Sequence, residues 1–247
     1  MADVFGFQGV RAVLNESPDR ARTLYIQRGR RDARVNELIH LAKSNGIRFQ
    51  SVESAWFHKR LEDVAHQGVL LDCHELSFKD ESALFDTLSS YGPEPFILLL
   101  DEVTDPRNYG ACLRTANAAG VHAVVVPKRN SAPLNAVALK TAQGGAEGLD
   151  LYAVTNLARV LDGLRDNGVW IIGADGDAQV NYTQVNATGA LGVVMGNEGK
   201  GLRRLTKEKC DQLVQIPMLG QVESLNVSVA TGVLLFEFLR QRIPANK

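Results

Sequence analysis

The sequence predicts an α/β protein: a mostly parallel sheet in the C-terminal part of the chain, preceded by a smaller α/β unit. Two observations carry this. Five short, uninterrupted apolar runs, Phe96–Leu100, Ala123–Val126, Trp170–Ala174, Leu191–Met195 and Leu213–Ile216, have the character of strands covered on both faces. Segments with helical periodicity alternate with them, at Gly110–Ala119, Leu134–Thr141, Leu157–Asn167 and Leu202–Cys210. That alternation is the pattern of a parallel sheet with crossover helices.

Ahead of these runs the elements are shorter. Arg11–Asn15 continues a helical pattern, and Thr23–Ile26 reads as a strand. Val35, Leu38, Ile39 and Ala42 recur at helical spacing and predict a helix over Val35–Asn45, stopped by the C-cap pair Asn45-Gly46. Ile47–Val52 and Gly68–Leu71 read as further strands. Residues 77–95 hold Lys79-Asp80-Glu81, Ser89-Ser90, Gly92, Pro93 and Pro95, and predict a linker with at most one amphipathic turn around Leu84–Leu88. The division expected is therefore a small domain over 1–76, a linker over 77–95 and a large domain over 96–247. The last segment, Val227–Arg242, is apolar nearly all round, from Val227 and Val229 to Phe238 and Leu239. Such a helix needs cover on two sides. A second subunit is the simplest cover; a deep intramolecular groove is the other.

Composition excludes several classes. Hydrophobic residues make up 45% of the 247, yet no apolar run approaches the roughly 20 residues of a membrane span. The N-terminal MADVFGFQGVRAVLNESPDR lacks the basic and apolar regions of a signal peptide, so a cytoplasmic protein without membrane contact is expected. Cys73, Cys112 and Cys210 are too scattered for a disulfide framework or a zinc site, and are expected to be reduced, mostly buried thiols. The five histidines fall in no metal-ligand pattern, and no catalytic metal is expected. Net charge is −1, but Arg20, Arg22, Arg28, Arg30, Arg31 and Arg34 crowd one stretch against only Asp32. Guanidinium groups suit phosphate because their planar fork donates two parallel hydrogen bonds; a solvated helix face balanced elsewhere explains the cluster equally well.

Ligands of open α/β sheets bind beyond the carboxyl ends of the strands, which directs attention to three loops. They are Asp101–Gly110 after the first apolar run, Gly196–Gly201 after Leu191–Met195, and Pro217–Asn226 after the last. The glycines of G-N-E-G-K-G have neither dinucleotide-fold nor P-loop spacing, so they are not a standard phosphate device.

These loops resemble the three motifs of the SpoU (TrmH) methyltransferases, a branch of the trefoil-knotted SPOUT superfamily. The residues are D-P-R-N-Y-G-A-C-L-R-T-A (105–116), V-V-M-G-N-E-G-K-G-L (193–202) and I-P-M-L-G-Q-V-E-S-L-N-V-S-V-A-T-G (216–232). With His66-Gln67-Gly68-Val69, the N-terminal part resembles the L30e-like RNA-binding domain of one subfamily, the bacterial 23S ribosomal RNA guanosine 2′-O-methyltransferases acting on the P loop of the large subunit. The resemblance implies a SPOUT fold with a C-terminal trefoil knot, and S-adenosyl-L-methionine held largely by backbone groups at Gly196, Ile216 and Leu225, with Gly173 a weaker contributor. It implies catalytic roles for Asn108, Arg114, Glu198, Ser224 and Asn226. It implies 23S ribosomal RNA or an assembling large subunit as partner, and a homodimer through the C-terminal helix. It also favours RNA docking at Arg28, Arg30 and Arg31.

A ribose hydroxyl is a poor nucleophile at neutral pH and needs help with its proton. The family pattern offers Arg114 as base, but a guanidinium is effectively never deprotonated. Holding a phosphate and stabilising the developing 2′-oxyanion is the role its chemistry allows, with Glu198 orienting it or accepting the proton. Simpler roles stand beside these. Asn108 and Asn226 are both residue types that cap helices, Ser224 suits a local turn, and Glu198 with Arg114 suits a structural ion pair. Two other functions fit parts of the pattern: the same chemistry on transfer RNA, and a non-catalytic ribosome-associated RNA-binding protein. Arg114→Lys keeps the charge but loses the fork, and is expected nearly to abolish turnover while leaving cofactor binding intact; near-normal single-turnover methylation would contradict that role.

Overall fold

The computed structural model describes residues 2–30, 32–61 and 66–243. Two compact units are present: Met1–Ser77 together with Gln143–Gly148, and Phe78–Ala142 together with Leu149–Lys247.

The first unit contains β1 (Ala2–Phe5), α1 (Phe7–Glu16), β2 (Ala21–Gln27), α2 (Ala33–Ser44), β3 (Arg48–Val52), α3 (Ser54–Arg60) and β4 (Val69–Cys73). Its sheet has the order β1-β4-β2-β3, with β2 and β3 parallel and β4 antiparallel to both its neighbours. Val10, Val13 and Leu14 of α1 and Val35, Leu38 and Ala42 of α2 pack on Leu24, Ile26 and Leu71. On the other face, Phe57 of α3 packs with Leu61 and Leu70, and Trp56 stacks on Tyr25 at 4.5 Å. Asp32 caps α2 by accepting the Val35 N–H at 3.2 Å, and Asn45 ends it before Gly46 at φ +69°. Within this unit the segment 143–148 supplies Glu147, whose buried carboxylate pairs with Arg20.

In the second unit, α4 (Glu81–Leu88) precedes β5 (Phe96–Leu100), α5 (Pro106–Ala118), β6 (Ala123–Pro127), α6 (Ala136–Ala142), β7 (Asp150–Val154), α7 (Leu157–Asp166), β8 (Trp170–Ala174) and β9 (Val180–Asn181). Then come β10 (Leu191–Met195), α8 (Arg204–Lys209), β11 (Gln212–Gln215) and α9 (Val227–Arg242). The strands lie in the order β7-β6-β5-β10-β8-β11-β9, and every pair in register is parallel. Strand order reverses between β5 and β10, the place where an open α/β sheet leaves a crevice at its carboxyl edge.

Residues 77–95 do more than connect. Asp80 accepts the Ala83 N–H at 3.0 Å and starts α4, whose Leu84 and Leu88 are buried in the core of the second unit. Phe85 lies where a Cβ on Gly163 of α7 would stand 2.6 Å from its ring. The polar flanks suggested a linker, but the two leucines give the segment an apolar face that the sheet covers.

Helix α9 buries Val227, Thr231, Leu234, Leu235 and Phe238, and Thr231 Oγ1 lies 3.5 Å from Cys112 Sγ of α5. Its far end is fastened by Arg242, which donates to the carbonyls of Gly189 and Glu94 and lies over the Phe96 ring at 4.8 Å. Val229 and Phe236 are 52% and 49% exposed. The three thiols are free, and burial pushes them up, Cys73 and Cys210 to about 12 and Cys112 to about 11, so they stay protonated near neutrality. Among the described residues no helix is long and apolar enough to cross a membrane.

Helices α5 and α6 approach each other closely at Gly110, where a Cβ would stand 2.3 Å from the Ala138 carbonyl oxygen. Backbone cannot yield as a flexible side chain can. Gly110→Ala is therefore expected to lower stability by about 1–3 kcal/mol, read from the urea unfolding midpoint; an unchanged midpoint would contradict this packing.

Candidate active site

The carboxyl ends of β5 and β10 meet where Asp101 donates its N–H to the Met195 carbonyl at 2.7 Å. The Asp101 carboxylate is fully buried and accepts from the Arg203 backbone N–H at 3.1 Å and from its Nε at 2.7 Å. A charge so placed is tolerable only when it is paired and hydrogen-bonded. The pair ties the loop after β10 to the end of β5.

That loop doubles back on itself. Asn197 and Gly201 exchange backbone hydrogen bonds at 3.1 and 2.9 Å, and Gly201 sits at φ +64°. A Cβ on Gly196 would stand 2.3 Å from the Gly201 carbonyl carbon, so the doubled path itself requires glycine there. Asn197 Nδ2 donates to the Glu102 carbonyl at 2.9 Å. At the tip of the loop Glu198 is exposed.

Asp105 is the residue that caps α5. Its Oδ1 accepts the N–H groups of Arg107 and Asn108 at 2.8 and 2.9 Å, with Pro106 at the first helical position. Asn108, a candidate cap from its residue type, lies inside the first turn, and its side chain is free for other work. Its Nδ2 donates to Glu198 Oε1, and its Oδ1 accepts from Asn226 Nδ2 at 3.0 Å. Asn226 Oδ1 in turn accepts the N–H of Ser228 at 2.9 Å and caps α9. Asn226 is thus the cap expected of it, and its amide also reaches Asn108. One hydrogen-bonded relay, Glu198 to Asn108 to Asn226 to the α9 N-terminus, joins all three loops.

The structure does not bring Arg114 into this relay. It lies six positions beyond Asn108 on α5, about 9 Å along the helix and about 120° around it, and is exposed. Among the described residues its side chain has no hydrogen bond or ion pair, so the structural pair with Glu198 does not form. Ser224 is likewise exposed and makes no hydrogen bond in its turn, among the described residues. Ile216 follows β11 and Leu225 precedes Asn226, both half-buried. Gly173 lies in the core of the sheet: a Cβ there would stand 2.7 Å from Cys210 Sγ and 2.9 Å from Leu202 and Leu213 side-chain carbons. Packing accounts for that glycine without a ligand.

The arginine stretch is less cationic than its sequence suggests. Arg28 pairs with Glu53, Arg30 with Asp32 at 2.9 Å, Arg22 with Asp72 at 3.9 Å and Arg20 with Glu147. These partners, Asp32 apart, come from distant segments that a local count omits. Arg34 lies over the Phe7 ring at 5.9 Å, and Arg31 is outside the described residues. Sequence reasoning also missed the buried Asp101–Arg203 pair and the cap at Asp105. The signal was available: an acidic residue directly after an uninterrupted apolar strand, and Asp-Pro at a helix start.

A parallel sheet with a strand-order reversal, and a relay of amides and a carboxylate at its carboxyl edge, is the setting of a group-transfer site. The chain belongs to the SpoU rRNA Methylase family, whose model matches residues 95–236. A second family model, RNA 2′-O ribose methyltransferase substrate binding, matches residues 4–79. The chain is 47% identical over 239 residues to the 23S rRNA (guanosine-2′-O-)-methyltransferase RlmB of Escherichia coli (strain K12), covering 97% of this chain and 98% of that protein. It is 48% identical to RlmB of Yersinia pestis, covering 97% of each. The fold is similar to that of the SpoU methyltransferase AviRb from Streptomyces viridochromogenes in complex with AdoMet, with a TM-score of 0.77, 22% identity, and coverage of 97% of this chain and 89% of that one. The A. aeolicus TrmH/SpoU tRNA modifying enzyme covers 65% of this chain and 81% of its own, with a TM-score of 0.55 and 29% identity.

The two roles of Asn226 can be separated. Asn226→Asp keeps the cap acceptor but loses the donor to Asn108, and is expected to hold stability within about 1 kcal/mol while single-turnover methylation falls at least tenfold. Asn226→Ala loses both, at a cost of about 1 kcal/mol in unfolding free energy. Wild-type turnover in Asn226→Asp would reduce this residue to a cap.

Proposed function

We propose that this chain transfers the methyl group of S-adenosyl-L-methionine to the ribose 2′-hydroxyl of a guanosine in 23S ribosomal RNA. The observation that carries the reading is the Glu198–Asn108–Asn226 relay, assembled from three separate loops at the switch point of the sheet. The near-full-length identity to RlmB, N-terminal unit included, favours ribosomal over transfer RNA. We take the target to be the P loop of the large subunit, met as free RNA or in an assembling subunit, in the cytoplasm. The knotted path that the family resemblance implies belongs to the same proposal.

The loop residues fit a cofactor held through backbone. Across residues 217–225 no backbone group has a hydrogen-bond partner among the described residues, so their amides and carbonyls are open to a ligand. Ile216 immediately precedes that stretch and Leu225 ends it, and the doubled loop at Gly196 follows a neighbouring part of the same sheet. S-adenosylmethionine, when bound, supplies the electrophilic methyl group. Glu198, with one carboxylate oxygen held by Asn108, presents the other to the ribose hydroxyl and takes its proton as the oxygen attacks. Asn108 and Asn226 fix the direction of that carboxylate. Ser224, exposed two residues before Asn226, is available to the ribose or the cofactor.

Arg114 fits this mechanism only from a second copy of the chain, because on its own helix it faces away from Asn108. Val229, Val233 and Phe236 recur on one face of α9 at helical spacing, and the first and last are exposed. We propose that a homodimer covers this stripe and delivers Arg114 to the partner's relay, where it holds a phosphate and stabilises the developing oxyanion. Arg28 and Arg30 of the first unit would meet RNA only in competition with Glu53 and Asp32.

The direct test is mass-spectrometric mapping of 2′-O-methyl groups in 23S ribosomal RNA from cells with and without the gene. Loss of one 2′-O-methylguanosine is expected. An unchanged 23S map with a lost methyl group in transfer RNA would move the substrate. No change in either, with no heat of binding on titrating S-adenosylmethionine, would favour a non-catalytic RNA-binding protein.

A further inference from the structure

The second unit distributes its cations unevenly. Lys79, Arg159, Arg165, Arg203 and the Lys and Arg residues of α8 are each tied to a carboxylate, as is Arg240, and Arg242 is tied to carbonyl oxygens. Among the described residues the remaining ones are Arg107, Arg114, Lys128, Arg129, Lys140 and Lys200. All are exposed, and among the described residues none has a hydrogen-bond or ion-pair partner for its side chain. They come from only three stretches: α5, the β6–α6 connection with α6, and the loop after β10.

Those stretches adjoin. Strands β6, β5 and β10 are consecutive in the sheet, so their carboxyl ends span about 10 Å. Their loops are joined by hydrogen bonds: Ala132 N–H to the Val103 carbonyl at 2.8 Å, Asn130 Nδ2 to Glu102 Oε1 at 3.2 Å, and Asn197 Nδ2 to the Glu102 carbonyl at 2.9 Å. Glu102 is already engaged by Asn130 and by Arg203 at 3.4 Å. Lys128 and Arg129, Arg107 and Lys200 therefore lie on neighbouring loops whose central carboxylate is occupied.

We infer that this edge, with Lys128 and Arg129 as its outermost members, is the docking surface for the sugar-phosphate backbone of the RNA strand that flanks the target nucleotide. The inference rests on the proposed activity and adds the place where the substrate is held. Unpaired cations release counterions on meeting phosphate without first giving up a carboxylate, so each contributes more to affinity than an arginine already in a pair. By that criterion the β6–α6 connection outweighs Arg28 and Arg30.

The test uses the full chain, a 23S ribosomal RNA transcript free of protein, and binding measured across a salt titration. Lys128→Ala with Arg129→Ala is expected to weaken binding about 5-fold per contact at 0.1 M salt and to reduce the slope of log K against log salt by roughly 0.7 per contact. Arg28→Gln with Arg30→Gln is expected to change the slope by less than half as much. Unaltered S-adenosylmethionine binding by the Lys128/Arg129 variant reports that its fold is intact. Wild-type slope and affinity in the alanine variant would overturn the inference, as would a loss seen only on reversal of both charges to Glu. A wild-type protein that binds the transcript through these residues yet methylates neither it nor an assembling large subunit would refute the proposed activity and leave the docking surface standing.

Discussion

The account depends on one side-chain amide. Asn108 donates to Glu198 and accepts from Asn226, and so fixes the relative positions of a carboxylate from the loop after β10 and a helix N-terminus from the loop after β11. An amide is suited to the position because it is both donor and acceptor, and neither Asp nor Leu could satisfy both neighbours. Its freedom to do so comes from Asp105, which takes over the capping of α5.

Around that hub the fold supplies rigidity by local means. The buried Asp101–Arg203 pair ties the end of β5 to the loop after β10, and the same loop closes on itself between Asn197 and Gly201. Gly196 and Gly110 are glycines for reasons of contact, the first with its own loop and the second with α6. A site built this way presents Glu198 to the outside without a flexible arm. The stretch 217–225 is the opposite: among the described residues its backbone has no partner, which suits a segment that acquires its order from what it binds.

Much of this was legible in the sequence, and the limits have physical causes. The continuous apolar runs marked β5, β6 and β10, which are buried along their whole length, and also β8 and β11, which are buried only in part. Helix α9 was readable at both ends, through Asn226 and the apolar stretch that follows. β7 was not, since Asp150–Val154 emerges directly from the glycine-rich 143–148 and its apolar run, Leu151–Val154, is only four residues long. α4 was legible only as an amphipathic turn around Leu84–Leu88, because its apolar face is two leucines among polar residues. The three motif loops were found, yet not which residues within them touch. Asn108 looked like a cap because capping depends on residue type, whereas the true cap lay three residues earlier. Arg114 belonged to the same motif, but six positions on a helix turn it away from Asn108. Which carboxylates balance the Arg20–Arg34 stretch was not legible, because Glu53, Asp72 and Glu147 reach it only through the fold.

If the amide and the carboxylate act as a unit, their effects on the chemical step cannot add. A double-mutant cycle on single-turnover methylation, with Asn108→Ala, Glu198→Gln and the two combined, measures this directly. The account predicts that the double variant is little slower than Glu198→Gln alone. Losses that multiply, as for independent residues, would contradict it.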